Sequence, residues 1–298
     1  MTEGFDFNEA DIDVMLANLD SFSEEEVVEI DRMVDELSTR SKNKRAYDDL
    51  IEFCKLMMPD FIVGKHHRIL ADLLMGIESG EKDRICVNIP PRHGKSQLVS
   101  IFFPAWFLGR NPNKKVMMVS HTTDLAVDFG RKVRNLIALD SYRSIFPTVK
   151  LAQDSKSAGR WNTNVGGEYY ACGIGSALAG RGADLLLVDD PHSEQDVING
   201  NFSVFEKAYE WFTFGARTRL MPGGRVAIIQ TRWHLDDLTG RVVRDMGKNE
   251  RADQYEVVEF PAILDVVNKK TKKTTQKPLW PEFFDLEALL RTKASMPV

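Results

Sequence analysis

The strongest fold signal in this chain is Ile85-Cys86-Val87-Asn88-Ile89-Pro90-Pro91-Arg92-His93-Gly94-Lys95-Ser96. A short apolar run, typical of a buried strand, leads into a turn that contains proline and glycine. An apolar helical stretch over residues 96–109 follows the turn. This order of strand, turn and helix is the context of a Walker A phosphate-binding loop (P-loop). Backbone N–H groups at the start of such a helix bind phosphate, and the helix dipole assists them.

The loop residues predict a nucleotide site. Lys95 is expected to neutralise the β- and γ-phosphates of ATP, and Ser96 to supply a hydroxyl to Mg²⁺. The match is degenerate, because Ile89 stands where the standard pattern has glycine. Gly-Lys-Ser is also common by chance, so the prediction needs support from other elements. The predicted nucleotide-binding residues of the loop are Pro90, Pro91, Arg92, His93, Gly94, Lys95 and Ser96.

A second element of such a site, the Walker B strand, is an apolar strand that ends in acids. Leu185-Leu186-Leu187-Val188-Asp189-Asp190 has this pattern. We predict that Asp189 binds the Mg²⁺ shell directly or through water. Asp190 is the predicted catalytic acid, which accepts a proton from the attacking water or orients it. The structural alternative for two acids after a strand is a turn or a helix cap.

A third element, Ile228-Ile229-Gln230-Thr231-Arg232-Trp233-His234, is a strand that ends in polar residues. Gln230 and Thr231 are the predicted contacts to the γ-phosphate or to the attacking water. Residues upstream of the loop are the candidates for adenine recognition: Phe61, His66 and His67. The alternative for these three is that they pack a helix against the sheet.

Phosphoryl transfer also requires positive charge on the transition state, and an arginine finger is worth roughly 10³–10⁵ in rate. Arg92 lies inside the loop and could act within its own subunit. Arg217 and Arg219, between a helix and the turn Pro222-Gly223-Gly224, could reach a neighbouring subunit. Arg181 is a further candidate. A surface or salt-bridged arginine is the alternative for all of them except Arg92.

The remaining pattern predicts an α/β fold. Strands are predicted at residues 116–119, 169–172, 185–188, 225–229 and 256–260, besides the strand before the loop. Helices are predicted between them, over residues 123–139, 205–214 and 236–246. Strands that alternate with helices indicate a largely parallel sheet covered by helices.

The composition excludes several classes of protein. The longest apolar stretch, residues 98–108, is too short to span a bilayer and contains Pro104. The acidic N-terminus is not a secretory signal or a transit peptide. The three cysteines, Cys54, Cys86 and Cys172, are too far apart for a disulfide framework or a cysteine-rich zinc site.

The charge divides the chain into two parts. The net charge is -5, but residues 1–50 contain fifteen acids and five bases, so residues 51–298 carry about +5. Ser23 to Glu26 fit a capping box, which predicts a helix start, and a second helix is predicted from Ala46 to Met58, before Pro59. We therefore divide the chain into an acidic helical N-terminal segment, residues 1–58, and a P-loop ATPase domain, residues 59–298.

Taken together, these motifs resemble the ATPase domain of the terminase large subunit of tailed bacteriophages. The resemblance extends over about residues 60–290 and does not include the acidic front segment. Besides the P-loop, it rests on Gly180-Arg181-Gly182-Ala183-Asp184 before Asp189-Asp190-Pro191, on Gln230-Thr231-Arg232-Trp233-His234, on Asp236-Asp237-Leu238 with Gly240-Arg241, and on Leu279-Trp280-Pro281-Glu282.

The resemblance implies an additional-strand (ASCE), RecA-like P-loop NTPase with a mostly parallel central sheet flanked by helices. It implies a viral genome-packaging motor, in which a Mg²⁺-dependent ATPase drives double-stranded DNA into a procapsid. The implied partners are double-stranded DNA, a portal protein, a small terminase subunit and other copies in a ring on the portal. The implied location is the host cytoplasm, transiently on the procapsid and without a membrane.

Some features depart from this family. Asp190 is shorter than the glutamate that is common at its position, so the roles of Asp189 and Asp190 could be exchanged. Arg92 lies one residue nearer to Gly94-Lys95 than in some relatives. A nuclease domain normally follows, and the chain ends at Val298, about where that domain should begin. Nuclease activity is therefore not expected for this chain.

Two other functions remain open at this point. A P-loop helicase would share the loop, but no second RecA-like lobe is recognisable. A non-hydrolytic module that docks on a portal or small terminase subunit is supported by the acidic segment alone. For direct DNA contact, the candidates are Lys269, Lys270, Lys272 and Lys273, because phosphate binding requires several basic residues on one face.

Overall fold

The structure, a computed structural model, describes residues 22–155, 157–268 and 272–296. The first helix, α1 (Glu24–Asp48), begins at the predicted capping box. The Ser23 N–H donates to Glu26 Oε2 at 2.8 Å, and the Glu26 N–H donates to Ser23 Oγ at 3.4 Å. The part of the acidic segment before residue 22 lies outside the described residues.

The second helix, α2 (Leu50–Met57), confirms the predicted end before Pro59 but not the predicted start. Ala46 lies within α1, and the break falls at Asp49, whose backbone is extended (φ -130°, ψ 125°). Asp49 caps α2, because its side chain accepts the Glu52 N–H at 2.9 Å. Ala46, Leu50 and Phe53 are fully buried in the same apolar cluster as the central sheet.

The central sheet has seven strands in the order β3-β4-β2-β5-β6-β1-β7. Every pairing is parallel except that of β3 with β4. All six predicted strands are present, and β3 is an addition. The strands are β1 (Arg84–Asn88), β2 (Lys115–Ser120), β3 (Arg160–Asn162), β4 (Glu168–Gly173), β5 (Ala183–Asp189), β6 (Leu220–Gln230) and β7 (Glu256–Glu259).

The position of β6 identifies the type of P-loop fold. The strand before the loop, β1, and the strand before the acids, β5, are not neighbours, because β6 lies between them and pairs with both. This inserted strand defines the additional-strand, RecA-like arrangement, so the predicted fold class is confirmed. A separate antiparallel hairpin, β8 (Ile263–Val267) and β9 (Thr274–Pro278), was not predicted.

Helices cover both faces of the sheet, and the side chains of β1 show why. Ile85, Val87 and Ile89 belong to one apolar cluster, and Cys86 belongs to the cluster on the other face. Such a strand is apolar at successive positions because both of its faces are buried. The first cluster packs against α3 (Lys65–Ser79), α4 (Phe103–Arg110), α5 (Thr123–Ile137) and α6 (Asp140–Ile145).

The second face is covered by helices that follow β5 and β6 in the chain. Phe212 and Ala216 lie in a π-helical segment (Trp211–Ala216) that continues α8 (Ser203–Glu210), and they join Leu238 and Val242 of α9 (Leu238–Lys248). The other described elements are a π-helical segment (Gln97–Phe102) that leads from the P-loop into α4, a 3₁₀ turn (Arg217–Arg219) before β6, the short α7 (Glu194–Ile198) and the last helix, α10 (Leu286–Ala294). None of the helices in the described ranges is long and apolar enough to cross a membrane.

Candidate nucleotide-binding site

The P-loop backbone has the shape of an anion-binding nest. Arg92 (φ 64°) and Gly94 (φ 74°) are both left-handed. Arg92 is not a glycine, so this conformation is unfavourable, and such residues concentrate at functional sites. The N–H groups of Arg92, His93 and Gly94 donate to no other described residue. Successive free N–H groups in such a turn form a concave site for an anion.

Lys95 connects this loop to the acids that follow β5. Its Nζ lies 2.6 Å from Asp190 Oδ2, and Lys95 is buried, with 7% of its surface exposed. The other oxygen of Asp190, Oδ1, accepts the N–H of Thr231 at 2.8 Å. Because β1, β5 and β6 are parallel, their carboxyl ends meet at one edge of the sheet. The three predicted elements are therefore brought together there.

Asp189 lies beneath this ion pair, at the end of β5. It is fully buried, and its Oδ2 accepts the hydroxyl of Ser100 at 2.6 Å. Burial, followed by the charge of Asp190, raises the pKa of Asp189 to about 6, although Lys95, Ser100 and Ser96 act in the opposite direction. Ser100 lies four residues after Ser96, about one turn further along, in the π-helical segment Gln97–Phe102. It was not predicted, although this spacing was the available signal.

The residues present fit a hydrated Mg²⁺. Asp189 Oδ1 is buried and has no partner among the described residues, and Ser96 is close enough to influence the same carboxylate. No cluster of three or more His, Cys, Asp or Glu side chains in the described ranges could hold a metal ion by itself. Mg²⁺ does not require such a cluster, because it commonly takes one or two carboxylates, waters and substrate phosphates.

Gln230 is buried at the end of β6, and neither its Oε1 nor its Nε2 has a partner among the described residues. A buried amide without hydrogen bonds is unfavourable, so its position beside the loop requires a reason. The next residue, Thr231, donates its hydroxyl to the carbonyl of Ile89 at 3.4 Å, besides its N–H contact with Asp190. Both residues therefore lie where a contact to phosphate or water is feasible.

An open cavity of about 380 Å³ lies beside the loop, between β1, β6 and the end of β7. The adenine candidates lie elsewhere. His66 and His67 are almost fully buried, with 1% and 0% of their surfaces exposed, and both contact the loop backbone. The alternative, that these histidines pack a helix against the sheet, is therefore favoured. The cavity is lined by Asn88, Ile89, Pro90, Pro91, Thr231, Arg232, Glu259, Phe260 and Pro261.

The candidate arginines are divided between the two edges of the sheet. Arg92 is exposed at the loop itself. Arg217 and Arg219 precede β6 and therefore lie at the opposite, amino-terminal edge, away from Lys95 of the same chain. Arg217 is held by Asp253, with Nε–Oδ2 at 2.6 Å and a second bond of 2.9 Å. Arg219 Nε is buried without a partner among the described residues.

Arg181 also lies at the amino-terminal edge, just before β5. Its guanidinium stacks 4.7 Å from the ring centre of Tyr170 and lies 3.6 Å from Glu168. The structure thus brings the loop, the acids and the third element together within one chain, but it does not bring Arg181, Arg217 or Arg219 to them.

The sheet order and the loop that follows β1 together define an additional-strand P-loop domain. The chain belongs to the family described as terminase large subunit, T4likevirus-type, N-terminal, which matches residues 86–291. The family resemblance stated from the motifs is confirmed. A search of curated proteins found no match.

Several solved structures are similar to the chain at low identity. The large terminase of bacteriophage HK97 shares 14% identity over 77% of this chain and 45% of that chain, with a TM-score of 0.46. A mutant ATPase domain of the large terminase of Thermus phage P74-26 shares 17% identity over 75% of this chain and 88% of that chain, with a TM-score of 0.45. The large terminase of bacteriophage D6E, solved with ATP-γ-S, shares 12% identity over 67% of this chain and 45% of that chain, with a TM-score of 0.42. The chain spans less than half the length of the HK97 and D6E proteins.

Proposed function

We propose that this chain is the ATP-hydrolysing domain of a viral DNA-packaging motor. The observation that carries the proposal is the contact between Lys95 Nζ and Asp190 Oδ2 at 2.6 Å, above the buried Asp189. Lys95, Asp190 and Asp189 thus lie together beside the loop, which supports the roles proposed for them: phosphate neutralisation, activation of water and Mg²⁺ binding. Family membership supports the same conclusion.

Each residue then has a distinct task. The backbone N–H groups of the P-loop bind the phosphates, and Lys95 neutralises their charge. Ser96 and Asp189 hold Mg²⁺, which supplies electrostatic stabilisation of the phosphoryl group when it is bound. Asp190 orients or deprotonates the attacking water. Because Lys95 and Asp190 form an ion pair, we infer that nucleotide binding transfers Lys95 from Asp190 to the phosphates and frees the carboxylate.

Gln230 and Thr231 complete the proposed site. Gln230 has a buried amide without partners, so it gains hydrogen bonds when a phosphate or an ordered water comes within reach. Thr231 donates its N–H to Asp190 and directly follows β6, the strand next to β1. β6 connects this edge of the sheet with the edge that Arg217 and Arg219 precede.

The partners belong to the same proposal: double-stranded DNA, a portal protein, a small terminase subunit and further copies in a ring, in the host cytoplasm and transiently on the procapsid. The division into residues 1–58 and 59–298 also stays a proposal. Lys272 and Lys273 lie exposed at the turn between β8 and β9, as the DNA proposal requires. The other two candidates, Lys269 and Lys270, lie outside the described residues.

ATP turnover by the full chain tests this function. We expect hydrolysis that requires Mg²⁺ and stops with EDTA, and we expect a forked DNA duplex to remain paired during hydrolysis. A translocase on duplex DNA moves along both strands without separating them. Separation of the fork would instead favour a helicase. The absence of hydrolysis would favour the docking module.

If a neighbouring subunit supplies the arginine finger, ATP turnover should depend cooperatively on protein concentration. We expect ATP turnover to rise faster than linearly with protein concentration, because Arg217 and Arg219 are at the edge opposite to the loop of their own chain. Arg219→Ala should lower turnover at high concentration by about 10³-fold, the lower end for an arginine finger, without weakening ATP binding.

A loss of turnover in Arg217→Ala is harder to assign to an arginine finger, because the substitution also breaks the double contact with Asp253. Arg160→Ala is the matched control, since Arg160 is an exposed arginine that also contacts a carboxylate, Glu168, at 3.2 Å. Strictly linear activity that neither Arg217→Ala nor Arg219→Ala changes would remove both residues from the proposed site.

A further inference from the structure

The carbonyl oxygen of His93, in the middle of the P-loop, is held by two imidazoles. His66 Nε2 and His67 Nε2 each lie 3.0 Å from it. A carbonyl oxygen only accepts, and it has two lone pairs. Both Nε2 atoms therefore carry the proton and donate, and the acceptor capacity of this oxygen is fully used.

The second nitrogen of His67 ties the same imidazole to the start of α3. Its Nδ1 accepts the N–H of Gly64, the N-cap residue, at 3.0 Å. Nδ1 must then be unprotonated, so this arrangement requires neutral His67. Burial lowers the pKa of His67 to about 3, and burial also lowers the pKa of His66. Both rings are thus uncharged donors near neutral pH.

The held carbonyl fixes the direction of the next N–H. In a trans peptide the C=O of one residue and the N–H of the following residue point in opposite directions, and the described residues contain no cis peptide. Because the His93 carbonyl points back toward α3, the Gly94 N–H points away from it, toward the open side of the loop. That N–H has no partner among the described residues.

Close packing explains why the position after His93 is glycine. A Cβ on Gly94 would collide with His67 Nε2. A Cβ on Gly64 would lie 2.7 Å from His66 Cε1 and 2.8 Å from Trp280 Cδ1. Both contacts are shorter than a real Cβ permits, so the two glycines allow the imidazoles to lie directly against the backbone.

Aromatic rings from the end of the chain cover this arrangement. Trp280 packs edge-on against His67, with ring centres 4.8 Å apart, and Phe284 stacks on His93 at 4.7 Å. They bury the two hydrogen bonds, and a low local dielectric strengthens such bonds.

We propose that His66 and His67 are positioning residues of the nucleotide site, which together hold the His93 carbonyl so that the Gly94 N–H is directed at a nucleotide phosphate. The inference rests on the proposed ATPase function. In this arrangement the histidines act on the phosphates through the loop and do not contact the base.

Two substitutions of His67 separate its N-cap contact with Gly64 from its hydrogen bond to the His93 carbonyl. Asn at position 67 can still accept the Gly64 N–H, as Asp196 accepts the Ser193 N–H at 2.9 Å in the capping box of α7. It is too short to reach His93. Gln at position 67 is long enough for a donor to reach the carbonyl, and glutamine at this helix position also forms capping boxes.

Binding of ATP and of inorganic tripolyphosphate, measured by calorimetry, provides the test. We expect His67→Asn to weaken both ligands by about tenfold, the effect of one lost hydrogen bond, while His67→Gln stays within about twofold of wild type. Equal binding by wild type and His67→Asn would overturn the inference. So would a loss for ATP that tripolyphosphate does not show, because that result indicates a base contact.

A measurement on the unaltered chain does not depend on variant folding. In protein labelled with ¹⁵N-glycine, the Gly94 amide proton should show a large downfield shift when tripolyphosphate is added, and Gly247, in α9, should not. An unresponsive Gly94 amide would overturn the inference. Failure of the wild-type chain to bind either ligand would overturn the proposed function, and the inference with it.

Discussion

Replacing Lys95 by alanine should reduce ATP turnover by about 10³-fold, the effect of removing one preorganised charge contact from a transition state. Lys95 is the buried cation of the loop, and its Nζ lies 2.6 Å from Asp190 Oδ2. Without it, the phosphates lose their main neutralising charge. Turnover and ATP affinity should fall together, because the proposed contact of Lys95 with the phosphates would act in the ground state and more strongly in the transition state.

The fold should survive this substitution. The Asp190 side chain is about a quarter exposed and keeps the hydrogen bond from the Thr231 N–H at 2.8 Å. It is therefore not left as a buried, uncompensated charge. Lys114→Ala is the matched control, since Lys114 forms a similar pair with Asp184 at 2.8 Å on the surface. Undiminished hydrolysis by Lys95→Ala, with a normal unfolding midpoint, would contradict the site assignment.

Asp190→Asn should separate ATP binding from hydrolysis. The amide keeps an oxygen for the Thr231 N–H but cannot accept a proton, so turnover should fall by about 10²–10⁴-fold. ATP affinity should be unchanged or higher, because Lys95 no longer has a carboxylate that competes with the phosphates. Single-turnover kinetics measures the rate of hydrolysis, and calorimetry measures ATP affinity. The exposed Asp140→Asn is the control.

Asp190→Asn should also change how the free energy of unfolding depends on pH. The pKa of Asp189 is raised from 3.8 to about 6, in part by the charge of Asp190. A carboxyl whose pKa is raised by folding contributes stability that is fully present below about pH 3.8 and is lost as the pH rises through about 6. Removing the Asp190 charge lowers the pKa of Asp189. The free energy of unfolding should then decline less between pH 4 and 6 in Asp190→Asn than in wild type.

A contrary result would reassign the two acids. If Asp190→Asn hydrolyses ATP at the wild-type rate and Asp189→Asn does not, then the roles of Asp189 and Asp190 are exchanged. The contacts favour the present assignment. Asp189 is buried and bonded to Ser100, out of reach of bulk water, whereas Asp190 is partly exposed at the mouth of the loop.

Much of this architecture was predictable because it is encoded in local patterns. The apolar runs of β1, β2, β4, β5, β6 and β7 are strands buried on both faces, and such strands are recognisable without a partner. Their order, with Lys95 after β1 and Asp189 at the end of β5, also predicts one common edge, since parallel strands end together. The break at Asp49 is not predictable from the apolar spacing, which continues across it; there the backbone becomes extended, and the Asp49 side chain caps the start of α2.

The rest depends on contacts between distant parts of the chain. The pair of Arg217 with Asp253, the burial of Ser100 against Asp189 and the hold of His66 and His67 on His93 join residues far apart in sequence. No local spacing records which of two polar residues will meet across a core. The sequence by itself determined the class of fold and the three elements of the site, because hydrophobic period and motif order are local properties. Only the tertiary structure decided which side chains meet at the loop, which arginines lie at the other edge, and which buried groups contact the loop backbone, because those contacts depend on how the sheet and helices pack.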